Sequence, residues 1–197
     1  MIHAAPGLDS RYRSYLRLLN ADERDARYIC ELRSEETLNR YLNPSNNTVA
    51  DQVHWLNAYK EREAEGKEYY FAIVSDGADQ GVVRLYDFRE VDGKRSFQWG
   101  SFIMPAPRIK GLVTYTAILM YELGFDILGF EQSHFEARAA NATILAFHER
   151  EGARIVGRTE QDVFYRFYPE DYRRFREASA GQIAAHRVKA SAATATR

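Results

Sequence analysis

Three strand-like segments follow one another in the middle of the chain, and this run constrains the fold more than any other part of the sequence. β-Branched and aromatic residues, which favour strands, are concentrated in Tyr69–Val74, Gln80–Asp87 and Ser96–Ile103. The short connections between these segments contain turn-forming pairs such as Asp76-Gly77. The sequence therefore predicts an antiparallel meander that ends near Pro105.

The part of the chain before the meander has the periodicity of helices after one short strand. Tyr15–Leu19 is predicted as this strand. A helix follows over Ala21–Ser34, where Asn20 and Glu23 have the spacing of a capping box. Apolar residues then recur at helical spacing from residue 49 to residue 66 and predict a second long helix.

After the meander, helical and strand-like segments alternate. We predict helices over Gly111–Leu128, Asn141–Glu151 and Pro169–Ala178, and strands over His134–Ala139, Arg154–Arg158 and Asp162–Phe167. This order indicates an α/β (α+β) fold, in which helices flank one mixed central sheet of about six to seven strands. We predict a single domain over residues 1–178. Residues 179–197 are rich in Ala, Ser and Thr and lack periodicity, which predicts a flexible C-terminal tail.

The composition excludes several classes of protein. The formal net charge of −1 shows no basic excess that would argue for nucleic-acid binding, and no apolar run is long enough to span a membrane. The first residues carry no secretory signal, and the single cysteine, Cys30, cannot form an internal disulfide. These features predict a cytoplasmic protein. The five histidines show no metal-ligand spacing, so no metal is predicted.

A basic turn leads into the helix that follows the meander. Its residues are Arg108, Ile109, Lys110, Gly111, Leu112 and Val113. Two cations and a glycine stand at a helix start, where backbone N–H groups lack helical partners. Such a turn can bind a phosphate group, because the amides and the helix dipole favour anions and glycine allows close approach. The pattern alone also suits a basic loop that only enters a core helix.

Together with Asn141–Gly152, this turn resembles the coenzyme half of the GNAT superfamily of acetyl-CoA-dependent N-acetyltransferases. The family's pyrophosphate loop, Arg/Gln-x-x-Gly-x-Gly/Ala, is matched by Arg108 and Gly111, with Val113 in place of the usual small residue. The family's later signature, Asn-x-x-Ala-x-x-Phe-Tyr-Glu-Lys-x-Gly, is matched by Asn141–Gly152, with Ile144 in place of a small residue. The similarity begins in the third strand of the meander and extends to the last predicted strand.

The resemblance implies acetyl-CoA as co-substrate and a definite arrangement around it. The strand Ser101–Met104 would diverge from His134–Ala139, and the pantetheine arm would insert between them like an additional strand. Asn141 would hold this arm. The coenzyme contacts that the resemblance implies are the turn Arg108–Val113 together with Phe102, Ile103, Met104, Asn141 and Phe147.

The position at which the family commonly has a tyrosine general acid is occupied by His148. An imidazole can also protonate a thiolate, because its unperturbed pKa of about 6.5 lies near neutral pH. The alternative is that His148 only packs against the sheet. Many relatives have a glutamate base on the third meander strand, where this chain has Gln98. The best remaining candidate for the base is Glu136, and the alternatives are Asp87, Glu90 and His134.

The N-terminal half resembles, more loosely, a subgroup that acts on amino-sugar nucleotides, including the N-acetyltransferases of pseudaminic-acid biosynthesis. The similar segments are Leu32-Arg33, Tyr41-Leu42, His54–Leu56 and Trp99–Ser101. By this analogy, Arg33, Tyr41 and Trp99 are candidates to contact the substrate, because arginine pairs with phosphate and aromatic faces stack on bases and sugars. The acceptor would then be the primary amine of a small molecule. A packing role is the alternative for Tyr41 and Trp99.

Two other functions fit the same residues. A related subgroup acetylates protein N-termini, including those of ribosomal proteins, and shares both signatures. Val113, His148 and Gln98 also suit a coenzyme-binding module of weak activity that acts through a partner. The aromatic run Phe164–Tyr168 is predicted either as core or as the face of a homodimer.

Overall fold

The strands and helices follow the order that the sequence predicts, over residues 2–35 and 48–189, which the computed structural model describes. The strands are β1 (Ser14–Leu18), β2 (Tyr69–Ser75), β3 (Ala78–Val91), β4 (Lys94–Ile103), β5 (Gln132–Arg138), β6 (Arg154–Arg158) and β7 (Asp162–Phe167). The α-helices of the described residues are α1 (Glu23–Ser34), α2 (Val49–Ala64), α3 (Leu112–Tyr121), α4 (Ala142–Glu151), α5 (Pro169–Ala178) and α6 (Ala180–His186). A π-helical segment, Glu122–Ile127, continues α3.

The seven strands form one mixed sheet in the order β1-β2-β3-β4-β5-β7-β6. Because β2, β3 and β4 pair antiparallel in sequence order, the predicted meander is confirmed. The pairing of β4 with β5 is parallel and joins Ser96 to Gln132 and Phe97 to Ser133. Beyond these pairs the two strands diverge, and a cleft opens in the centre of the sheet.

Helices cover both faces of the sheet, and each face has its own apolar core. α1 and α2 pack on one face, where Tyr59, Tyr70 and Ile103 are buried. α3 and α5 pack on the other face, where Phe97 and Tyr121 are buried. Successive strand residues point to opposite faces. Every residue of β2 is therefore buried, which explains its continuous run of apolar and aromatic residues.

The start of α1 differs from the predicted capping box. Asp22, not Asn20, is the N-cap, and its carboxylate accepts the N–H of Asp25 at 2.9 Å. The N–H of Asn20 donates to the Asp25 carboxylate at 2.7 Å, and Arg17 pairs with the same carboxylate at 2.8 Å. The prediction of Asn20 as the cap is wrong, because these contacts with Asp25 hold Asn20 in the connection before the helix.

The C-terminal segment is folded where the sequence predicts a flexible tail. α6 covers Ala180–His186, and His186 is only 1% exposed. After α6, the carbonyl oxygen of Val188 accepts the N–H of Arg13 at 2.7 Å. The tail prediction is therefore wrong over residues 180–189, because contacts with distant elements stabilise a segment whose composition alone does not. Residues 190–197 lie outside the described part of the chain.

The aromatic run of β7 divides between the core and the surface. Tyr165 and Phe167 are fully buried, whereas Phe164 is exposed, as are Ile155 and Val156 of the edge strand β6. The core interpretation thus holds for the two buried rings. A homodimer stays a prediction.

The close approach of β3 to β4 at Gly81 can be tested by substitution. A Cβ at Gly81 would lie 2.3 Å from the carbonyl oxygen of Ile103, a backbone atom that cannot move without disturbing β4. We expect Gly81→Ala to lower the free energy of unfolding by about 2 kcal/mol or more, measured by denaturant titration. The control is Gly181→Ala in α6, where no atom of the described residues lies within 4 Å of the added Cβ. Equal stability of the two variants would contradict the close approach.

Candidate active site

A cavity of about 450 Å³ lies where β4 and β5 diverge. The residues that line it come from both faces of the sheet and include members of all three predicted groups, for the coenzyme, the chemistry and the substrate. They include Arg33, Trp99, Phe102, Val113, Glu136, Asn141, Phe147 and His148. The predicted substrate residue Tyr41 lies outside the described residues.

Three predicted coenzyme residues have their side chains in the apolar cores. Ile103 and Met104 are each 2% exposed, and Leu112 is fully buried. Ile103 belongs to the core under α1 and α2, and the other two belong to the core on the opposite face. These residues can therefore contact a coenzyme only through their backbone atoms.

The basic turn leads directly into α3. Gly111 is the N-cap of α3 and has a φ angle of 81°, which glycine adopts without strain. The side chains of Arg108 and Lys110 are exposed. The N–H of Leu112 donates to the carbonyl oxygen of Ile109 at 3.1 Å within the turn. The amides that an anion would reach are therefore that of Gly111 and those that follow Leu112 in the first turn of α3.

Asn141 has a structural role that accounts for its position at the start of α4. Its Oδ1 accepts the N–H of Ile144 at 3.3 Å and so caps the helix. The residue also lines the cavity, and its side-chain NH₂ group remains a donor. The cap thus holds a polar group in a fixed orientation beside the cleft.

His148 lies at the wall of the cavity within a cluster of aromatic rings. It is 6% exposed, and its ring centroid lies 4.4 Å from that of Phe135 and 5.4 Å from that of Tyr165. Its Nδ1 lies 2.7 Å from Oε1 of Glu151, one turn further along α4. Because Glu151 engages Nδ1, Nε2 is the ring nitrogen that remains to exchange a proton with a group in the cavity.

Glu151 is a buried carboxylate that is missing from the predicted site. Its side chain is fully buried, and its Oε1 also accepts a hydrogen bond from the hydroxyl group of Tyr121 at 3.0 Å. Burial raises the pKa of Glu151, although the hydrogen bonds from His148 and Tyr121 oppose this shift. The sequence signal was the i,i+3 spacing of His148 and Glu151, which places both side chains on one face of a helix.

Glu136 stands on the opposite face of β5 from the residues that pack against His148. It follows Phe135, whose ring contacts His148, and successive strand residues alternate between faces. Its side chain is exposed and lines the cavity. Burial raises the pKa of the neighbouring Tyr86, Arg84 opposes this shift, and the charge of Glu136 adds to it. Glu136 and Tyr86 therefore line the side of the cavity away from His148.

The charged and aromatic candidates for substrate contact lie in different surroundings. Arg33, in the last turn of α1, lines the cavity, as does Arg138, which forms an ion pair with Asp162 at 3.0 Å. Trp99 lies on the helix side of the cleft, with its ring centroid 5.8 Å from that of Tyr121 and 6.5 Å from that of His148. Trp99 thus belongs to the surroundings of His148.

Two alternative candidates for the base, His134 and Asp87, are hydrogen-bonded to each other where β4 and β5 diverge. Nδ1 of the buried His134 lies 2.7 Å from Ser96 Oγ, and its Nε2 lies 2.9 Å from Asp87 Oδ2. Burial lowers the pKa of His134. Burial opposes the ionisation of Asp87, but hydrogen bonds from His134 and Arg89 outweigh it and lower the pKa of Asp87. Both groups are therefore weak bases that connect β3, β4 and β5. Glu90 is exposed near the end of β3.

Within residues 2–35 and 48–189, no group of three or more His, Cys, Asp or Glu side chains is arranged to hold a metal ion. None of the described helices combines the length and the hydropathy needed to cross a membrane.

The profile of the acetyltransferase (GNAT) domain family matches residues 13–154. The chain therefore belongs to this family, and the resemblance predicted from the basic turn and from Asn141–Gly152 is confirmed, as is the mixed α/β fold. The protein is an N-acetyltransferase that uses acetyl-CoA.

The similar proteins include enzymes with different acceptors. The apo structure of FdhC, a nucleotide-linked sugar GNAT, is 38% identical with a TM-score of 0.78, over 88% of this chain and 97% of that one. RimJ of Mycobacterium smegmatis, in complex with CoA-disulfide, is 16% identical with a TM-score of 0.70, over 87% of this chain and 92% of that one. The spermidine N(1)-acetyltransferase of Escherichia coli is 23% identical over 76% of this chain and 78% of its own length.

The contribution of Glu151 to the site can be separated from that of its helix. Glu151→Ala would leave Tyr121 and Nδ1 of His148 buried without their acceptor, and each such loss costs about 1–3 kcal/mol. We expect the free energy of unfolding to fall by about 2–4 kcal/mol in denaturant titrations. Glu151→Gln keeps a carbonyl oxygen for Tyr121 and should be milder. The exposed Glu149 of the same helix gives the control, Glu149→Ala, and equal stability of the two alanine variants would contradict the buried contact.

Proposed function

We propose that the enzyme acetylates the primary amine of an amino-sugar nucleotide, by direct attack of the amine on acetyl-CoA in a ternary complex. The observation that carries this proposal is the likeness to the nucleotide-linked sugar GNAT. It extends over most of both chains, at a much higher sequence identity than the likeness to RimJ or to the spermidine acetyltransferase.

The charges that line the cavity favour a nucleotide-sugar over a polyamine. Two arginines, Arg33 and Arg138, line it together with two carboxylates, Glu136 and Asp162, so there is no excess of negative charge. A polyamine carries several positive charges and would need an excess of carboxylates. A nucleotide-sugar carries a diphosphate, which arginine binds well because its planar group donates two parallel hydrogen bonds.

The turn and the cleft fit a coenzyme that has a pyrophosphate and an extended arm. The turn Arg108–Val113 combines the helix start at Gly111 with two exposed cations, and we assign the pyrophosphate to its amides. The pantetheine arm is assigned to the gap between Ser101–Met104 and β5, where the diverging strands present backbone donors and acceptors. Asn141 and Phe147 line the same gap. Acetyl-CoA supplies an acetyl thioester at this place.

The reaction transfers two protons, and Glu136 and His148 are the candidate groups that accept one and donate the other. The amine nitrogen forms a bond with the thioester carbon and passes one proton to Glu136. The carbon–sulfur bond breaks, and the leaving thiolate takes a proton from Nε2 of doubly protonated His148, whose Nδ1–H donates to Glu151. Glu151 holds the other ring nitrogen, so the imidazole is oriented before the reaction begins. Glu136 is exposed, which suits a base that can pass its proton to solvent. His148 is buried, which suits an acid that is shielded from solvent.

The identity of the acceptor is tested with purified protein and acetyl-CoA, by following the release of free thiol. We expect the highest kcat/KM with an amino-sugar nucleotide and a much higher KM with the free amino sugar, because the latter lacks the diphosphate. Spermidine and short peptides with a free N-terminus are the comparison substrates. Turnover with peptides alone or with spermidine alone would overturn the sugar proposal. Binding of acetyl-CoA without turnover of any amine would favour a coenzyme-binding module.

The role of His148 is tested by the steady-state kinetics of variants. We expect His148→Ala to lower kcat by about a hundredfold, the lower end of the range for loss of a general acid, and to change KM for acetyl-CoA little. Glu149→Ala, at the exposed neighbouring position, should keep the wild-type kcat. An unchanged kcat in folded His148→Ala would remove the acid role and leave only the packing role.

A further inference from the structure

A buried imidazole of α6, outside the cleft, contacts the backbone of the basic turn. His186 ends α6 and is 1% exposed. Its ring stacks on that of Tyr115 in α3, with centroids 5.1 Å apart and planes at 17°. Its Nε2 lies 3.2 Å from the carbonyl oxygen of Lys110, within the turn to which we assign the pyrophosphate.

The hydrogen bonds around His186 are consistent with one arrangement of protons. The carbonyl oxygen of Lys110 can only accept, so Nε2 carries the hydrogen and donates. Nδ1 of the neutral ring then accepts the hydroxyl hydrogen of Ser14 at 2.9 Å. The Ser14 oxygen in turn accepts from Ser75 at 2.8 Å. Burial lowers the pKa of His186, in agreement with a neutral ring.

α6 also limits the space on the same side of the turn. A Cβ at Gly111 would lie 3.1 Å from Cγ of Gln182 and 3.4 Å from Nε2 of His186. α6 is in turn held at its end, where Arg187 forms an ion pair with Glu122. Contacts with α6 thus restrict the turn on one side, and the ion pair of Arg187 holds the end of α6 in place.

The planar peptide unit makes the direction of the Gly111 N–H depend on the contact between His186 and the Lys110 carbonyl group. The carbonyl group of Lys110 and the N–H group of Gly111 belong to one planar trans peptide unit, so they point in opposite directions. When His186 fixes the carbonyl group towards α6, the N–H of Gly111 is fixed towards the side away from α6.

We propose that His186 is a positioning residue for coenzyme binding, which orients the Lys110–Gly111 peptide so that its amide faces the pyrophosphate. This inference rests on the assignment of the pyrophosphate to the turn under the proposed function. It does not depend on the identity of the amine acceptor. A turn that is already ordered loses less conformational entropy when the ligand binds.

The test compares two acetyl donors that differ in the pyrophosphate. KM is measured for acetyl-CoA and for S-acetylpantetheine, which lacks the nucleotide and the pyrophosphate, at a saturating concentration of the best amine. His186→Phe keeps a ring but removes the donor to Lys110, whereas His186→Gln replaces the donor with an amide. For His186→Phe we expect KM for acetyl-CoA to rise about tenfold, which corresponds to ~1.4 kcal/mol, while kcat and KM for S-acetylpantetheine stay within about twofold. His186→Gln should restore most of the acetyl-CoA affinity.

Further variants separate this role from a general loss of stability. His54→Ala, at an exposed histidine of α2, is the control and should leave both KM values unchanged. Ser14→Ala keeps the imidazole and removes only the bond to its Nδ1, and it should show a smaller loss that is again selective for acetyl-CoA. This variant also serves if His186→Phe does not fold.

The outcomes distinguish failure of this inference from failure of the proposed function. Equal KM values of the wild type for the two donors would contradict the pyrophosphate assignment itself. If the wild type prefers acetyl-CoA and His186→Phe or Ser14→Ala keeps the full preference, only the role of His186 is overturned. A parallel loss with both donors would assign His186 to stability alone and would also overturn the inference.

Discussion

The candidate site depends on the short parallel contact between β4 and β5. Two residue pairs join the strands, and His134 then bridges Ser96 and Asp87 where they begin to diverge. The buried imidazole thus supplies side-chain hydrogen bonds at the place where the backbone pairing ends. Because both ring nitrogens of the buried His134 are hydrogen-bonded, this contact holds the ring in one orientation. We infer that it fixes the position at which the cleft opens and therefore the place where a coenzyme arm fits.

The divergence of two central strands also creates two different environments around one gap. On the helix side, His148 lies among aromatic rings and is hydrogen-bonded to the buried Glu151. On the other side, Glu136 is exposed to solvent. An intact sheet would separate these groups, because neighbouring residues of β5 point to opposite faces. In the proposed mechanism, this gap is what lets His148 from one face and Glu136 from the other reach the same bond.

The periodicity of the sequence predicted the helices and strands, whereas the contacts of buried polar side chains could be identified only in the folded structure. β6, β7 and α5 begin and end at the predicted residues, because strand alternation and Pro169 mark these boundaries locally. His148 could be found because it occupies a fixed position in a motif that one helix carries. For Glu151 the i,i+3 spacing from His148 was the only local signal, and its burial, which distinguishes it from the exposed Glu149, depends on the packing around Tyr121. The role of each buried polar group depends on neighbours that are distant in sequence.

The C-terminal helix shows the same dependence at the basic turn. His186 and Lys110 are 76 positions apart, so no local pattern connects them. Gly111 appears in the sequence as a residue that allows a phosphate to approach. The structure adds a second constraint, because an added Cβ would lie only 3.1 Å from Cγ of Gln182. Both constraints act on one peptide unit, whose carbonyl group faces α6 and whose amide faces the opposite side. A sequence motif that reflects only the side to which we assign the pyrophosphate therefore leaves out the constraint that α6 places on the other side.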